Sequence, residues 1–247
     1  MRGVVFLCLV FLFAGMMKAG AQSKVTFRAS DSLLITADLY LTDKSRPYVL
    51  LFHQAGYSRG EYKQSARKIQ KFGYNCLAVD LRSGGEVNYI QNRTALRALQ
   101  QGYSTDYLSS MKDIRAAIDW VETQSREPVI LFGSSFSASL CLMVAKENPK
   151  VQAVVAFSPG EFFRPEDVFV KEQIDSLSKP IFVASSKREY PYAKELLSLV
   201  PSSNKLIFAP DGGQGEHGSK SLWSSNPTSQ EYWLALTMFF SQIRSVY

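Results

Sequence analysis

Histidine is almost missing from this sequence. Among 247 residues only His53 and His217 occur. A metal centre built on clustered imidazoles needs more than that, so no metal is expected. Any imidazole proton transfer near neutral pH falls to one of these two side chains. Cysteine is equally sparse, with three in all. Cys8 sits in a leading apolar run, and Cys76 and Cys141 lie within apolar stretches, where small buried thiols are expected. That count excludes a disulfide-stapled miniature scaffold. The phosphate loop Gly-x-x-x-x-Gly-Lys is missing, and no Gly-x-Gly-x-x-Gly leads directly from an expected strand into an expected helix, so no nucleotide cofactor is expected. Positive charge forms no block and no nucleic-acid motif appears. The formal net charge of +6 therefore reads as a solubility property. There are no repeats and no low-complexity linker, which leaves a single domain as the expectation.

The first residues stand apart. Arg2 precedes an apolar run from Gly3 to Met16, and "KAGAQS" follows, with Ala19 and Ala21 spaced as a signal peptidase site requires. This pattern predicts a secretory signal over 1–21 and a mature chain from Gln22 to residue 247. The run is short for a membrane span. Arg2 and Lys18 carry two of the six net charges, so the mature chain is expected at +4. Export directs the protein to a periplasm or outside the cell, with no membrane partner after cleavage. The Asn-Arg-Thr sequon at Asn92 matters only where the source glycosylates.

Beyond the leader the chain alternates strand and helix. "KVTFRA" (24–29) and "LLITADLYL" (33–41) alternate apolar and polar residues, as an edge hairpin does. "YVLLFH" (48–53), "NCLAVD" (75–80), "PVILFG" (128–133), "VQAVVAF" (151–157), "PIFVAS" (180–185) and "KLIFAP" (205–210) are short apolar runs suited to strands covered on both faces. Helices are expected over 60–73, 107–124, 136–148, 192–200 and 229–244. Residues 83–106 read as the longest irregular stretch. This order predicts an α/β fold with a mostly parallel central sheet and helices on both faces. Ligands then bind at the carboxyl ends of the strands.

"GSSFS" (133–137) lies at such an end. It fits a nucleophile elbow, a tight strand-to-helix turn that exposes a serine oxygen. Only the register centred on Ser135 has glycine two residues before it and a small residue, Ser137, two after. A serine needs a base. His217, in the Gly-rich "DGGQGEHG" after the last strand, follows Ser135 as hydrolases of this architecture require, whereas His53 precedes it and fits a substrate-side role. An acid is needed to orient the imidazole. Glu189 in "VASSKRE" leads, with Glu161 in "SPGE" and Asp211 as rivals. Two backbone amides should face the oxyanion. One belongs to Phe136, after the nucleophile. The other comes from the loop after the third strand, with Ala55 first and Gln54 second.

These residues together resemble the α/β-hydrolase superfamily, and within it the small dienelactone-hydrolase-like members, over roughly residues 30–245. "LFHQAG" looks like the oxyanion stretch, "AVDLRSGGE" like the segment after the next strand, "FGSSFSAS" like the elbow, "VASSKRE" like the acid loop and "GEHG" like the histidine loop. The resemblance implies a triad of Ser135, Glu189 and His217. The sequence departs from the pattern at Gln54 and Ser137, where glycine is usual, and at Glu189, where aspartate is commoner. Dienelactone hydrolases proper use cysteine, so their substrate is not carried over. Asp80 and Arg82 are expected to form a structural ion pair or turn lock. Residues 158–179 leave no room for a large cap, so Tyr89 and Tyr103 in the 83–106 stretch are expected to line an open entrance, with His53. The expected activity is cofactor-free cleavage of a small-molecule ester through an acyl-enzyme. A peptidase or thioesterase on the same fold, and a catalytically silent binding protein, are the competing readings.

Overall fold

The computed structural model describes residues 21–244. The predicted leader lies outside them except for Ala21, which opens the first strand.

An eight-stranded sheet organises the molecule. It contains β1 (Ala21–Arg28), β2 (Leu34–Leu41), β3 (Tyr48–Phe52), β4 (Asn75–Val79), β7 (Val129–Ser134), β8 (Val151–Phe157), β9 (Ile181–Ala184) and β10 (Lys205–Phe208). The two short strands β5 (Glu86–Val87) and β6 (Ile90–Gln91) form a separate hairpin. The sheet order is β1-β2-β4-β3-β7-β8-β9-β10. Only the pairings of β2 with β1 and β4 are antiparallel. The remaining pairings are parallel. The chain moves outward from β3 to β4 on one side and then returns to add β7 on the other, which opens a crevice at the carboxyl ends of β3 and β7.

Seven α-helices cover the two faces: α1 (Ser65–Lys71), α2 (Arg93–Gln100), α3 (Met111–Glu122), α4 (Phe136–Glu147), α5 (Val170–Gln173), α6 (Tyr190–Leu196) and α7 (Ser229–Arg244). Side-chain alternation along β3 shows why both faces are needed. Leu50 and Phe52 enter the core shared with α3 and α4, whereas Val49 and Leu51 enter the core under α1 and α7. Alternate residues of a strand point to opposite faces, and an apolar run therefore demands cover on both. Helix α4 is apolar on all sides and is buried from Phe136 to Ala145, as expected for a helix without a solvent face. Cys76 and Cys141 are free and buried. They belong to opposite cores, so the sheet separates them.

Two segments differ from their sequence reading. Residues 60–73 do not form one helix. Arg59–Tyr62 makes a 3-10 turn capped by Ser58, and α1 follows. The turn forms because its charged side chains are drawn inward: Arg59 pairs with Asp80 at 2.6 Å and Asp38 at 3.1 Å, and Glu61 is fully buried. Residues 83–106 are also more ordered than expected, holding the β5–β6 hairpin and α2. Asn92 caps α2 by accepting from the Ala95 amide at 2.8 Å. Its side chain is buried, so the sequon is closed to glycosylation in the folded protein.

Asp80 and Arg82 do not pair with each other. Asp80 binds Arg59, and Arg82 binds Asp113 and Asp31, both at 2.7 Å. Both lie past the end of β4, and each is held by oppositely charged partners from other segments. Between β8 and β9 there is only a 3-10 turn and the four-residue α5, so no large cap covers the crevice.

Candidate active site

At the carboxyl end of β7 the backbone turns sharply into α4. Ser135 sits on this turn at φ 59° and ψ −125°, a conformation that strains a residue with a Cβ. Neighbouring bonds hold it there. The Ser135 amide donates to the Phe157 carbonyl at 2.8 Å, and the Ser135 carbonyl accepts from the Ala138 amide at 2.9 Å. Gly133 is required: a Cβ there would lie 2.5 Å from backbone atoms of Ser137 and Ala138. Ser137 occupies the position where glycine is usual and uses its hydroxyl structurally. Its Oγ accepts from the Ser134 amide at 2.9 Å and donates to the Phe52 carbonyl at 2.7 Å, tying the elbow to the end of β3.

His217 reaches Ser135 from the loop after β10. Its Nε2 lies 2.8 Å from Ser135 Oγ, and its Nδ1 lies 2.5 Å from Glu189 Oε1. The Glu189 carboxylate also accepts, at Oε2, from Ser158 Oγ at 2.8 Å and the Ser186 amide at 3.1 Å. Burial works to raise its pKa, but the bonds from His217, Ser158 and Ser186 prevail and hold it at about 2. Glu189 is therefore an anion throughout the neutral range. It selects the His217 tautomer that carries the proton on Nδ1 and leaves the Nε2 lone pair for the Ser135 hydroxyl. The two rivals lie elsewhere. Glu161 accepts from the amides of Val170 and Lys171 at 2.7 and 2.9 Å, at the start of α5. Asp211 is exposed beside Glu231, whose carboxylate accepts from its amide.

Of the two candidate oxyanion amides in the loop after β3, one is free and one is taken. The Gln54 amide donates to Glu61 Oε2 at 2.8 Å, so Gln54 does not serve as a second oxyanion donor. The Gln54 carbonyl accepts from His53 Nδ1 at 2.9 Å and the Tyr57 amide at 3.2 Å. Across the planar trans peptide the Ala55 N–H points away from that carbonyl. Among the described residues neither the Ala55 nor the Phe136 amide has a hydrogen-bond partner.

Three residues expected at the substrate are placed elsewhere. His53 is fully buried. Its Nε2 accepts from the Leu81 amide at 3.0 Å, and burial lowers its pKa to about 4. It is a neutral framework residue that ties the β3 and β4 ends together. Tyr89 projects from the tip of the β5–β6 hairpin and is 98% exposed. Tyr103 packs half-buried against the core after α2. Neither tyrosine lines the cleft that reaches His217 and Glu189. That cleft lies on the other side, beside α6. It has a volume of about 450 Å³ and is walled by Pro159, Phe162, Tyr192 and Leu196.

Sequence reasoning missed Ser158 and Glu61. Ser158 adopts φ 51°, donates to Glu189 and accepts from the Gly218 amide at 2.9 Å. Its signal is position: it is the first residue after β8, as Ser135 is after β7. Glu61 gave only a charge at the start of the helix expected over 60–73.

The sheet, the elbow and the absence of a cap together define an α/β-hydrolase. The model of the serine aminopeptidase S33 family matches residues 43–192, more than half of the chain, and the chain belongs to that family. Solved structures extend the likeness in fold. An esterase of Pyrococcus furiosus superposes with a TM-score of 0.70 at 18% identity, over 90% of this chain and 93% of that one. A dienelactone hydrolase of Anabaena variabilis gives 0.68 at 18%, over 91% and 98%. An acylaminoacyl peptidase of Pyrococcus horikoshii gives 0.65 at 13%, over 92% of this chain and 42% of that one.

Proposed function

We propose that this hydrolase is a serine esterase in which Ser135, His217 and Glu189 act as nucleophile, base and orienting acid on a small-molecule ester. The observation that carries the reading is the continuous hydrogen-bonded series from Ser135 Oγ through both ring nitrogens of His217 to Glu189. His217 Nε2 takes the Ser135 proton as Oγ bonds to the ester carbonyl carbon. The amides of Phe136 and Ala55 receive the oxyanion. The intermediate collapses with transfer of the proton from His217 to the leaving alkoxide. Water, deprotonated by the same nitrogen, then hydrolyses the acyl-enzyme.

A peptidase reading is favoured by the family's description and by the acylaminoacyl peptidase among the similar structures. An aminopeptidase must hold a free α-ammonium group, which calls for an available carboxylate. In the cleft, Glu161 is occupied by the α5 amides, Glu195 pairs with Lys171 at 2.5 Å, and Glu189 is committed to His217. This supports ester cleavage over release of N-terminal residues.

Fluorophosphonate labelling with peptide mapping tests the proposal, alongside turnover of p-nitrophenyl esters and aminoacyl p-nitroanilides. Label on Ser135, lost in His217→Ala, with ester turnover exceeding anilide turnover is expected. Preferred anilide turnover replaces the esterase by the peptidase. Folded protein without label replaces both by a silent binding fold. Export over the 1–21 leader belongs to the same proposal: N-terminal sequencing of protein recovered outside the cytoplasm should begin at Gln22.

A further inference from the structure

Glu61 is a fully buried carboxylate that the proposed chemistry does not use, and it stands where three functional loops meet. Its Oε2 accepts the Gln54 amide at 2.8 Å, from the loop that carries Ala55. Its Oε1 accepts Ser219 Oγ at 2.6 Å, two residues beyond His217. The Ser219 amide donates to Ser134 Oγ at 2.8 Å, which brings in the residue before the nucleophile. The Glu61 carbonyl accepts Trp223 Nε1 at 3.0 Å, anchoring the downstream end of the histidine loop. Gly218 fits between these loops because it has no side chain; a Cβ there would lie 2.6 Å from Ser134 Oγ and 2.8 Å from Gln54 Oε1.

Burying a carboxylate is costly unless several donors satisfy it. Each donor here belongs to a loop that must be held relative to the others. One peptide plane links the Gln54 carbonyl, fixed by His53 and Tyr57, to the Ala55 N–H. Fixing the Gln54 amide as well orients the residue on its other side. We propose that Glu61 is a positioning residue, a single carboxylate that sets the oxyanion loop and the His217 loop in register with each other. The catalytic part of this assignment rests on the esterase reading; the positioning part does not.

The test compares Glu61→Leu with Glu61→Gln. Leucine fills the volume and leaves the Gln54 amide and Ser219 hydroxyl without an acceptor. Glutamine keeps one acceptor for the Gln54 amide, while Ser219 Oγ accepts from its NH2. Amide hydrogen exchange should quicken at residues 53–57 and 216–219 in Glu61→Leu, with the central strands unchanged, and return toward wild type in Glu61→Gln. For p-nitrophenyl acetate, kcat per active site titrated with the fluorophosphonate should fall ~10²-fold or more in Glu61→Leu at similar KM, the size of a lost oxyanion donor, and recover to within about tenfold of wild type in Glu61→Gln. Ser219→Ala removes only one of the contacts and should loosen 216–219 alone, which keeps the test decisive where the leucine variant fails to fold. Unchanged exchange in both loops overturns the proposal, as does an equal kcat per titrated site in the leucine variant. A wild-type protein that takes no label at Ser135 overturns the esterase reading instead, and the exchange data still decide the role of Glu61.

Discussion

Glu189→Gln is the sharpest test of how the site holds its proton. The substitution preserves size and shape but makes one oxygen an NH2. Oε2 accepts from two donors, Ser158 Oγ and the Ser186 amide, and Oε1 faces His217 Nδ1 alone. The amide oxygen will therefore occupy the Oε2 position. The reverse orientation sets NH2 against the Ser186 N–H and loses the Ser158 bond. At ~1–3 kcal/mol for an unsatisfied buried donor and ~1 kcal/mol for a lost bond, it is populated to about 3% or less. In the favoured orientation the NH2 donates to Nδ1, so the imidazole proton moves to Nε2 and faces Ser135. A protonated Nε2 cannot accept from the hydroxyl. The expected loss in kcat is ~10²–10⁴, the upper end matching an acid-to-amide change in a serine triad. KM should change little, and stability to urea should fall by no more than the about 1–2 kcal/mol that ionised Glu189 contributes. Steady-state kinetics on a p-nitrophenyl ester, with thermal unfolding as the control, measures this. A kcat within tenfold of wild type in folded protein refutes the tautomer argument.

Four other outcomes follow from the same geometry. Ser135→Gly should abolish turnover while raising stability by about 1 kcal/mol over Ser135→Ala in urea titration, because glycine relieves the positive φ. Gly133→Ala should lower stability by about 2 kcal/mol or more, or prevent soluble expression, since its Cβ meets backbone rather than a movable side chain. Arg82→Met should cost about 3–5 kcal/mol in the same assay, because it leaves Asp113 buried without its cation. Glu189 also makes stability depend on pH. Its folded pKa of about 2 lies below the ordinary 4.5, so the unfolded chain protonates first as pH falls. The contribution is complete above about 4.5 and is lost on descent toward 2. Its size is about 1–2 kcal/mol after allowing for partial exposure, and acid titrations of Glu189→Gln should lack this component.

Much of the architecture was legible in order and periodicity. Apolar runs without alternation called for a sheet covered on both sides, and the strand–turn–helix context of Ser135 marked a strained elbow because small residues flank it. The scarcity of histidine narrowed the base to His217 by chain order alone. The extent of 83–106 was less legible. Besides the local Asn92 cap, its hairpin and α2 depend on contacts from Tyr57 and Asp80, neither of them local in sequence.

The amino-acid sequence by itself determined the α/β class, the order of strands and the positions of Ser135, Glu189 and His217 at strand ends, since these follow from local patterns of burial and turn chemistry. Tertiary structure alone decided which carboxylate meets His217, which oxyanion-loop amide stays free, and that His53 is a buried framework residue. It also brought Glu61, Gln54, Ser134 and Ser219 together. These are outcomes of competition for hydrogen-bond partners across loops far apart in the chain, and a buried donor takes the acceptor nearest in space, whatever its distance in sequence.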